Sequence, residues 1–288
     1  MKRTLQLKSP AKVNLRLEIL RKREDGYHEI RTVFQKIRLS DTIDFSLREE
    51  EEIVVTTDQP GLPVGRNNLV HRAASAFFSR CGYRGGINIH IAKRIPLGAG
   101  LGGGSSNAAT TLKALDRLLD VGLSGRELAA MGARIGADVP FFLADRGSAL
   151  ATGIGERLGR IDLPELWFVL IYPNFEISTR WAYQNFDEHF QLTKRPFRLK
   201  IQSLVTPEDV SRILKNDLER AVSKKFHQIE EMKENLASAG ALGSLMTGSG
   251  PTVFGIFAEE GEASRVHRRI LRTVKKNGWI ALKTRSLL

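Results

Sequence analysis

Between Pro96 and Ser106 the chain reads PLGAGLGGGSS, with five glycines among the seven residues Gly98, Ala99, Gly100, Leu101, Gly102, Gly103 and Gly104. Glycine lets a backbone take positive φ and come close to a ligand. After Ser105 and Ser106, apolar residues recur at helical spacing through Ala108, Leu112, Leu115 and Leu119. A strand-like run, Ile87–Ile91, precedes Pro96 and Leu97. A glycine loop running from a strand into a helix presents bare amides beside a helix N-terminus, which suits an anion and above all a phosphate. It is not a Walker loop, since Asn107 and Ser105 stand where the lysine would be sought. It also lacks the acidic residue that closes a dinucleotide-binding unit. The competing reading is a flexible hinge, but a hinge has no need of glycines locked between a strand and a well-formed helix.

Four further segments carry candidate chemistry. In GADVPFFL, residues 136–143, Asp138 comes after a helix stop and precedes Val139 and Pro140. Proline biases the residue before it to extended geometry, so the carboxylate sits on a stiff turn, as a base or as the N-cap of the next segment. In SPAKVNL, residues 9–15, Lys12 and Asn14 project from the polar side of a strand, where a solvated lysine is the plainer reading. In GYHEI, residues 26–30, Tyr27 and His28 come after a turn glycine and offer either base stacking or edge packing. Thr247, Gly248, Ser249 and Gly250 open TGSGPTVFGIF, either an ordinary turn or a second close approach to ligand.

The elements that must hold these residues are legible from period and punctuation. Residues 12–19 alternate, with Val13, Leu15, Leu17 and Ile19 apolar and Lys12, Asn14, Arg16 and Glu18 polar, which predicts a half-buried strand. Thr42–Leu47, Ile53–Thr57, Trp167–Tyr172 and Thr252–Phe257 read as strands, and Leu69–Arg80 and Gly261–Lys276 as helices. Ser124 and Glu127 form a capping box opening a helix over Arg126–Ile135, which Gly136 ends. Ser178-Thr179 and Thr206-Pro207 open two more. GIGERLGR marks a crossing into a second half, which divides the chain into 1–155 and 156–288. The mixture predicts an α+β fold with largely antiparallel sheets.

Composition narrows the class. With 288 residues, 42% hydrophobic and 26% charged, the chain can bury a core without staples. Its single cysteine, Cys81, excludes an internal disulfide and suits a reducing compartment. No apolar run comes after the basic start, and the longest, Leu166–Tyr172, is too short to span a bilayer, so a cytoplasmic protein without a signal peptide is expected. The net charge of +12 raises the question of nucleic acid. The positives are scattered through Arg21–Arg23, Lys194–Lys200, Lys224–Lys225 and Arg265–Lys276. That pattern favours a basic surface serving anionic small molecules over a nucleic-acid stripe.

Taken together, these segments resemble the GHMP kinases in order and spacing: a lysine-bearing first strand, a central P-x-x-x-G-L-G-S/G-S-S loop and a late glycine motif. Within that family, SPAKVNLRLEI, DGYHEIRTVFQ, IPLGAGLGGGSSNAATTL, GADVPFFL and GSGPTVFGIF look most like the members acting on 4-diphosphocytidyl-2-C-methyl-D-erythritol. The likeness spans nearly the whole chain, and its one visible departure is Ala99, where some members carry glycine. The resemblance implies a two-domain GHMP kinase fold. Its N-terminal domain would be ribosomal-protein-S5-like, its C-terminal domain a ferredoxin-like α/β sandwich, with the active site in the cleft between them. It implies ATP and Mg2+, with γ-phosphate transfer to the 2-hydroxyl of the methylerythritol moiety on an isoprenoid precursor route. Lys12 and Asp138 match the catalytic pair, and Pro96–Ser106 the ATP phosphate loop. Tyr27, His28 and Tyr183 match positions that hold the cytosine ring, with Asn14 and Thr247–Gly250 also on the substrate side. The expected partners are ATP and a cytidine diphosphate-linked sugar alcohol, with no nucleic acid or membrane, in a monomer or weak homodimer. The magnesium ligands are not named by the resemblance. Kinases for homoserine or mevalonate, and a basic nucleic-acid-binding protein, are the alternatives.

Overall fold

Alternating and helical apolar patterns sort into two compact units in the computed structural model, which describes residues 3–190 and 204–288. The basic run Lys194–Lys200 lies outside the described residues. Unit one comprises Met1–Ala11, Leu39–Leu97 and Gly102–Asp145; unit two comprises Lys12–Arg38, Gly98–Leu101 and Arg146–Leu288. Two long strands, β1 (Thr4–Lys22) and β2 (His28–Arg48), each give one part to either unit.

In unit one, β4 (Gly86–Ala92) pairs antiparallel with the second half of β2, from Thr42↔Ala92 to Arg48↔Gly86, and β3 (Ile53–Thr57) lies parallel to β4. The period of two puts Ile43, Phe45, Val55, Ile87, Ile89 and Ile91 on the buried face. Each such burial contributes about 1.5–3 kcal/mol. Helices α1 (Leu69–Cys81), α2 (Gly103–Leu119), α3 (Gly125–Ile135) and α4 (Val139–Leu143) pack on one another, α1 also on β3. Asn68 caps α1 through Val70 N, and Gly82 ends it at φ 66°. The capping box of Ser124 and Glu127 is formed at α3.

One local expectation is corrected here. Val139 is not extended: it opens α4, with Pro140 in the first turn, where a missing N–H leaves no bond unmade. Packing explains the override, because the bare backbone of Gly132 on α3 leaves just enough room for Val139 and Leu143; a Cβ there would lie 2.8 and 2.7 Å from them. Gly136 ends α3 as expected, in extended backbone at φ −176°.

In unit two, β5 (Ser148–Gly153) pairs antiparallel with the first half of β2, from Ile30↔Gly153 to Gln35↔Ser148. GIGERLGR turns a hairpin from β5 into β6 (Arg157–Gly159). A second sheet has the order β11 (Ile280–Arg285), β7 (Trp167–Tyr172), β10 (Val253–Phe257), β9 (Gly243–Met246), all antiparallel. That is the strand order of the expected ferredoxin-like sandwich. Helices α8 (Gln228–Ser238) and α9 (Glu260–Lys276) pack on it, and α5 (Thr179–His189), α6 (Pro207–Arg212) and α7 (Glu219–Ser223) complete the unit. Ala263, Val266, Ile270 and Val274 of α9, spaced by three and four, join Val169, Ile171 and Phe257 in one core. The short β8 (Lys215–Asn216) runs parallel to β1 at Arg16 and Leu17. Among the described residues no helix is long and apolar enough to cross a membrane.

The expected half-buried first strand is also corrected. Its apolar side is core, yet Lys12, Asn14, Arg16 and Glu18 are buried too. Unit two covers the polar side with groups that pair with it. Arg16 donates to Glu18 and to Ile213 O, and Arg31 donates twice to Glu18. Burial pushes the Glu18 carboxyl up, but bonds and charge from Arg16 and Arg31 outweigh this and hold it below the usual carboxylate range.

Candidate functional site

Lys12 is 4% exposed, so its ammonium is not a solvated surface charge. Its Nζ donates to Asn14 Oδ1 and lies over the Phe34 ring, 5.1 Å from the centroid. Both contacts favour a cation held out of bulk water. Asn14 is itself fixed: Nδ2 donates to Thr32 Oγ1 at 2.8 Å, and its backbone N–H donates to Thr247 Oγ1 at 2.9 Å. The Thr247–Gly250 turn is therefore tied to the lysine strand. Asn216 holds that turn from behind, with Nδ2 donating to Met246 O and Gly248 O. Ser249 Oγ meets Thr179 Oγ1 at 2.9 Å.

The middle of the glycine loop reaches the same cluster. Lys12 N donates to Leu101 O at 3.0 Å. Gly100 takes φ +76°, and a Cβ there would stand 2.5 Å from Thr247 O and 2.9 Å from Gly250 O. Gly98, at φ +56°, leaves room for the side chain of Glu176. Unit two thus gathers Lys12, Asn14, Gly98–Leu101 and Thr247–Gly250 in one place. Ala99 is buried within the loop.

Where the loop becomes α2, the N-cap is Gly102 in left-handed geometry, and no side chain caps the helix. The amides of Gly103, Gly104 and Ser105 lie in the first turn, whose N–H groups have no intrahelical partner. Together with the helix dipole they suit an anion. Ser106 is buried one residue further on.

Asp138 occupies the N-cap position of α4, yet its side chain makes no capping hydrogen bond. Asp138 is half-buried, and Phe141 and Phe142, which come after it in α4, are both core. Ser105 Oγ stands 3.7 Å from where a Cβ on Gly136 would sit, beside the turn that carries Asp138.

The aromatic candidates divide. Tyr27 is 61% exposed. His28 is buried, stacked on Tyr183 at 4.8 Å between centroids. His28 Nε2 pairs with Asp187 Oδ1 at 2.7 Å, and Asp187 also pairs with Lys22. Burial pushes the Asp187 carboxyl up, but Lys22 and His28 more than offset it and hold it below the usual range.

Comparison with known proteins fits this arrangement. Residues 68–146 match the GHMP kinases N terminal domain, and residues 203–276 match the GHMP kinases C terminal domain. A 4-diphosphocytidyl-2-C-methyl-D-erythritol kinase of Geobacter sp. (strain M21) is 45% identical over 284 residues, which is 98% of this chain and 99% of that one. The chain belongs to the 4-diphosphocytidyl-2-C-methyl-D-erythritol kinase family. The kinase of that name from Syntrophus aciditrophicus (strain SB) is 47% identical over 262 residues, 90% of this chain and 92% of its own. A crystal structure of 4-(cytidine 5'-diphospho)-2C-methyl-D-erythritol kinase superposes with a TM-score of 0.81 at 34% identity, covering 99% of this chain and 100% of that one. Homoserine kinase from Cytophaga hutchinsonii superposes at 0.78 with 19% identity, covering 100% of this chain and 96% of its own, a likeness of fold.

As a 4-diphosphocytidyl-2-C-methyl-D-erythritol kinase family member, the chain contains polar residues around these groups that the reading of its motifs did not single out. Thr32 matters through Asn14, 18 residues away, and Asn216 through Met246 O and Gly248 O, 30 and 32 residues away. Asp187 lies four residues after Tyr183, one helical turn on, so α5 presents both to His28. That spacing is a usable signal once Tyr183 has been singled out.

Proposed function

We propose that this kinase transfers the γ-phosphate of ATP to the 2-hydroxyl of 4-diphosphocytidyl-2-C-methyl-D-erythritol, giving the 2-phosphate in isoprenoid precursor synthesis. The observation that carries this is the end-to-end match to kinases named for that substrate. Phosphoryl transfer asks chiefly for positioning and charge stabilisation. The amides of Gly98–Ser106, with Pro96 and Leu97 leading in, cradle the ATP phosphates. Asp138 accepts the proton of the acceptor hydroxyl. Lys12, held as a desolvated cation, offsets charge that develops during transfer. Thr247–Gly250 and Asn14 support the acceptor side. Mg2+, when bound, would neutralise charge on the phosphates, and one or two protein oxygens would be enough to hold it. The half-buried Ser105 hydroxyl and a carboxylate of the Asp138 type are groups that fit it.

Tyr27, His28 and Tyr183 hold the cytosine. Base stacking is worth roughly 1–3 kcal/mol, so Tyr27→Ala is expected to raise the KM of the cytidine substrate about 10- to 100-fold and to spare ATP. Tyr27 is exposed, so its truncation leaves the core intact. An equal rise for both substrates would place the residue elsewhere. We further take the functional halves to be 1–155 and 156–288. The enzyme is placed in the cytoplasm as a monomer or weak homodimer, its +12 charge serving anionic small molecules and not nucleic acid.

The direct test is ATP consumption by the purified protein with the cytidine-linked substrate, homoserine and mevalonate in parallel. Consumption with the first alone is expected. Consumption with either of the others alone would replace this reading.

A further inference from the structure

Unit one contains a buried ionic network that the catalytic assignment does not use. Asp41, at the middle of β2, is 0% exposed. Its Oδ1 accepts from Arg94 N at 2.7 Å and Ile95 N at 2.9 Å. Its Oδ2 accepts from Lys93 Nζ and from Asn107 Nδ2, the latter at 2.9 Å. Asn107 Nδ2 also donates to Ser9 Oγ at 2.9 Å, and Ser9 Oγ donates to Ser106 Oγ at 2.8 Å. Lys93 is almost fully buried, and a Cβ on Gly103 would come within 3.3 Å of its Nζ.

The placement of these donors is what gives the network meaning. Arg94 and Ile95 are the last residues before the glycine loop, Ser106 is its last residue and Asn107 the first after it. One carboxylate therefore grips both ends of a segment that glycine leaves free to wander. Fixing the ends of a loop removes much of the entropy that a ligand must otherwise overcome in ordering it. Four donors converge on Asp41, and only an ionised carboxylate accepts from all of them. An amide there would turn its own N–H groups toward Lys93 and Asn107.

We infer that Asp41, acting through Asn107, Arg94 and Ile95, is a positioning residue that preorganises the glycine loop for ATP. This rests on the loop being the ATP phosphate site. Asn107→Ala removes one strap and leaves the Asp41–Lys93 pair and both amides in place. Its ATP KM is expected to rise about tenfold, the effect of one lost anchor on a preorganised loop, with the KM of the cytidine substrate within about twofold and Tm little changed. Asp41→Asn is expected to act in the same direction and further; if it fails to fold, Asn107→Ala decides alone. An ATP KM within about twofold of the parent for Asn107→Ala, while Gly100→Ala raises it, overturns the inference and leaves the loop assignment standing. A rise of both KM values in step with a fall in Tm also overturns it, because that is a general structural defect. If neither variant weakens ATP, the loop assignment falls and the inference with it.

Discussion

Asp138→Asn is expected to yield a folded kinase whose kcat is lower by about 10²–10⁴-fold, the usual worth of a positioned base. The substitution keeps the shape of the side chain and removes its charge and basicity. Folding should survive because the substitution conserves the size of a side chain that is only half-buried. The helix below it is held by Phe141, Phe142 and Val139, which the change does not touch. Both KM values should stay within a few-fold, since the loss lies in the transition state and not in ground-state binding. The measurement is kcat under saturation by both substrates, with Tm as the control for folding. A kcat within about threefold of the parent would make Asp138 a structural residue, and the base would have to be sought elsewhere.

Gly100→Ala is expected to weaken ATP by about 10- to 100-fold. Left-handed backbone costs a residue bearing a Cβ about 1–2 kcal/mol. Here the Cβ also meets two backbone oxygens, Thr247 O at 2.5 Å and Gly250 O at 2.9 Å. Neither is the end of a side chain that can swing away, so the loop and the Thr247–Gly250 turn must separate. Calorimetry with ATP alone reads the effect without the second substrate. Unchanged ATP affinity in a folded variant would remove the loop from the nucleotide site.

What the residues determined by themselves is local. A capping box needs only Ser124 and Glu127 at the right spacing, and it forms where that spacing predicts. Strand, glycine loop and helix succeed one another from Gly86 to Leu119, because turn chemistry and helical period act within a few residues. The order of these segments along the chain was enough to point to the kinase family. The ferredoxin-like sheet agreed with what the family resemblance implied, and two of its strands, β7 and β10, were legible as short apolar runs.

Tertiary structure decided everything that depends on what lies opposite. A period of two says that Lys12, Asn14, Arg16 and Glu18 share one side of β1, but not that the side is covered. The covering groups include Thr247, 233 residues from Asn14, and Ile213, 197 residues from Arg16. Val139 obeyed its packing against Gly132 instead of the rule for a residue before proline. His28 acquired Asp187 across 159 residues, and Asp41 gathered donors 53 and 66 residues away. An isolated aspartate in a strand looks like any surface charge. Only the fold, by excluding water and converging four donors on it, makes that charge a fixed point around which the loop is built.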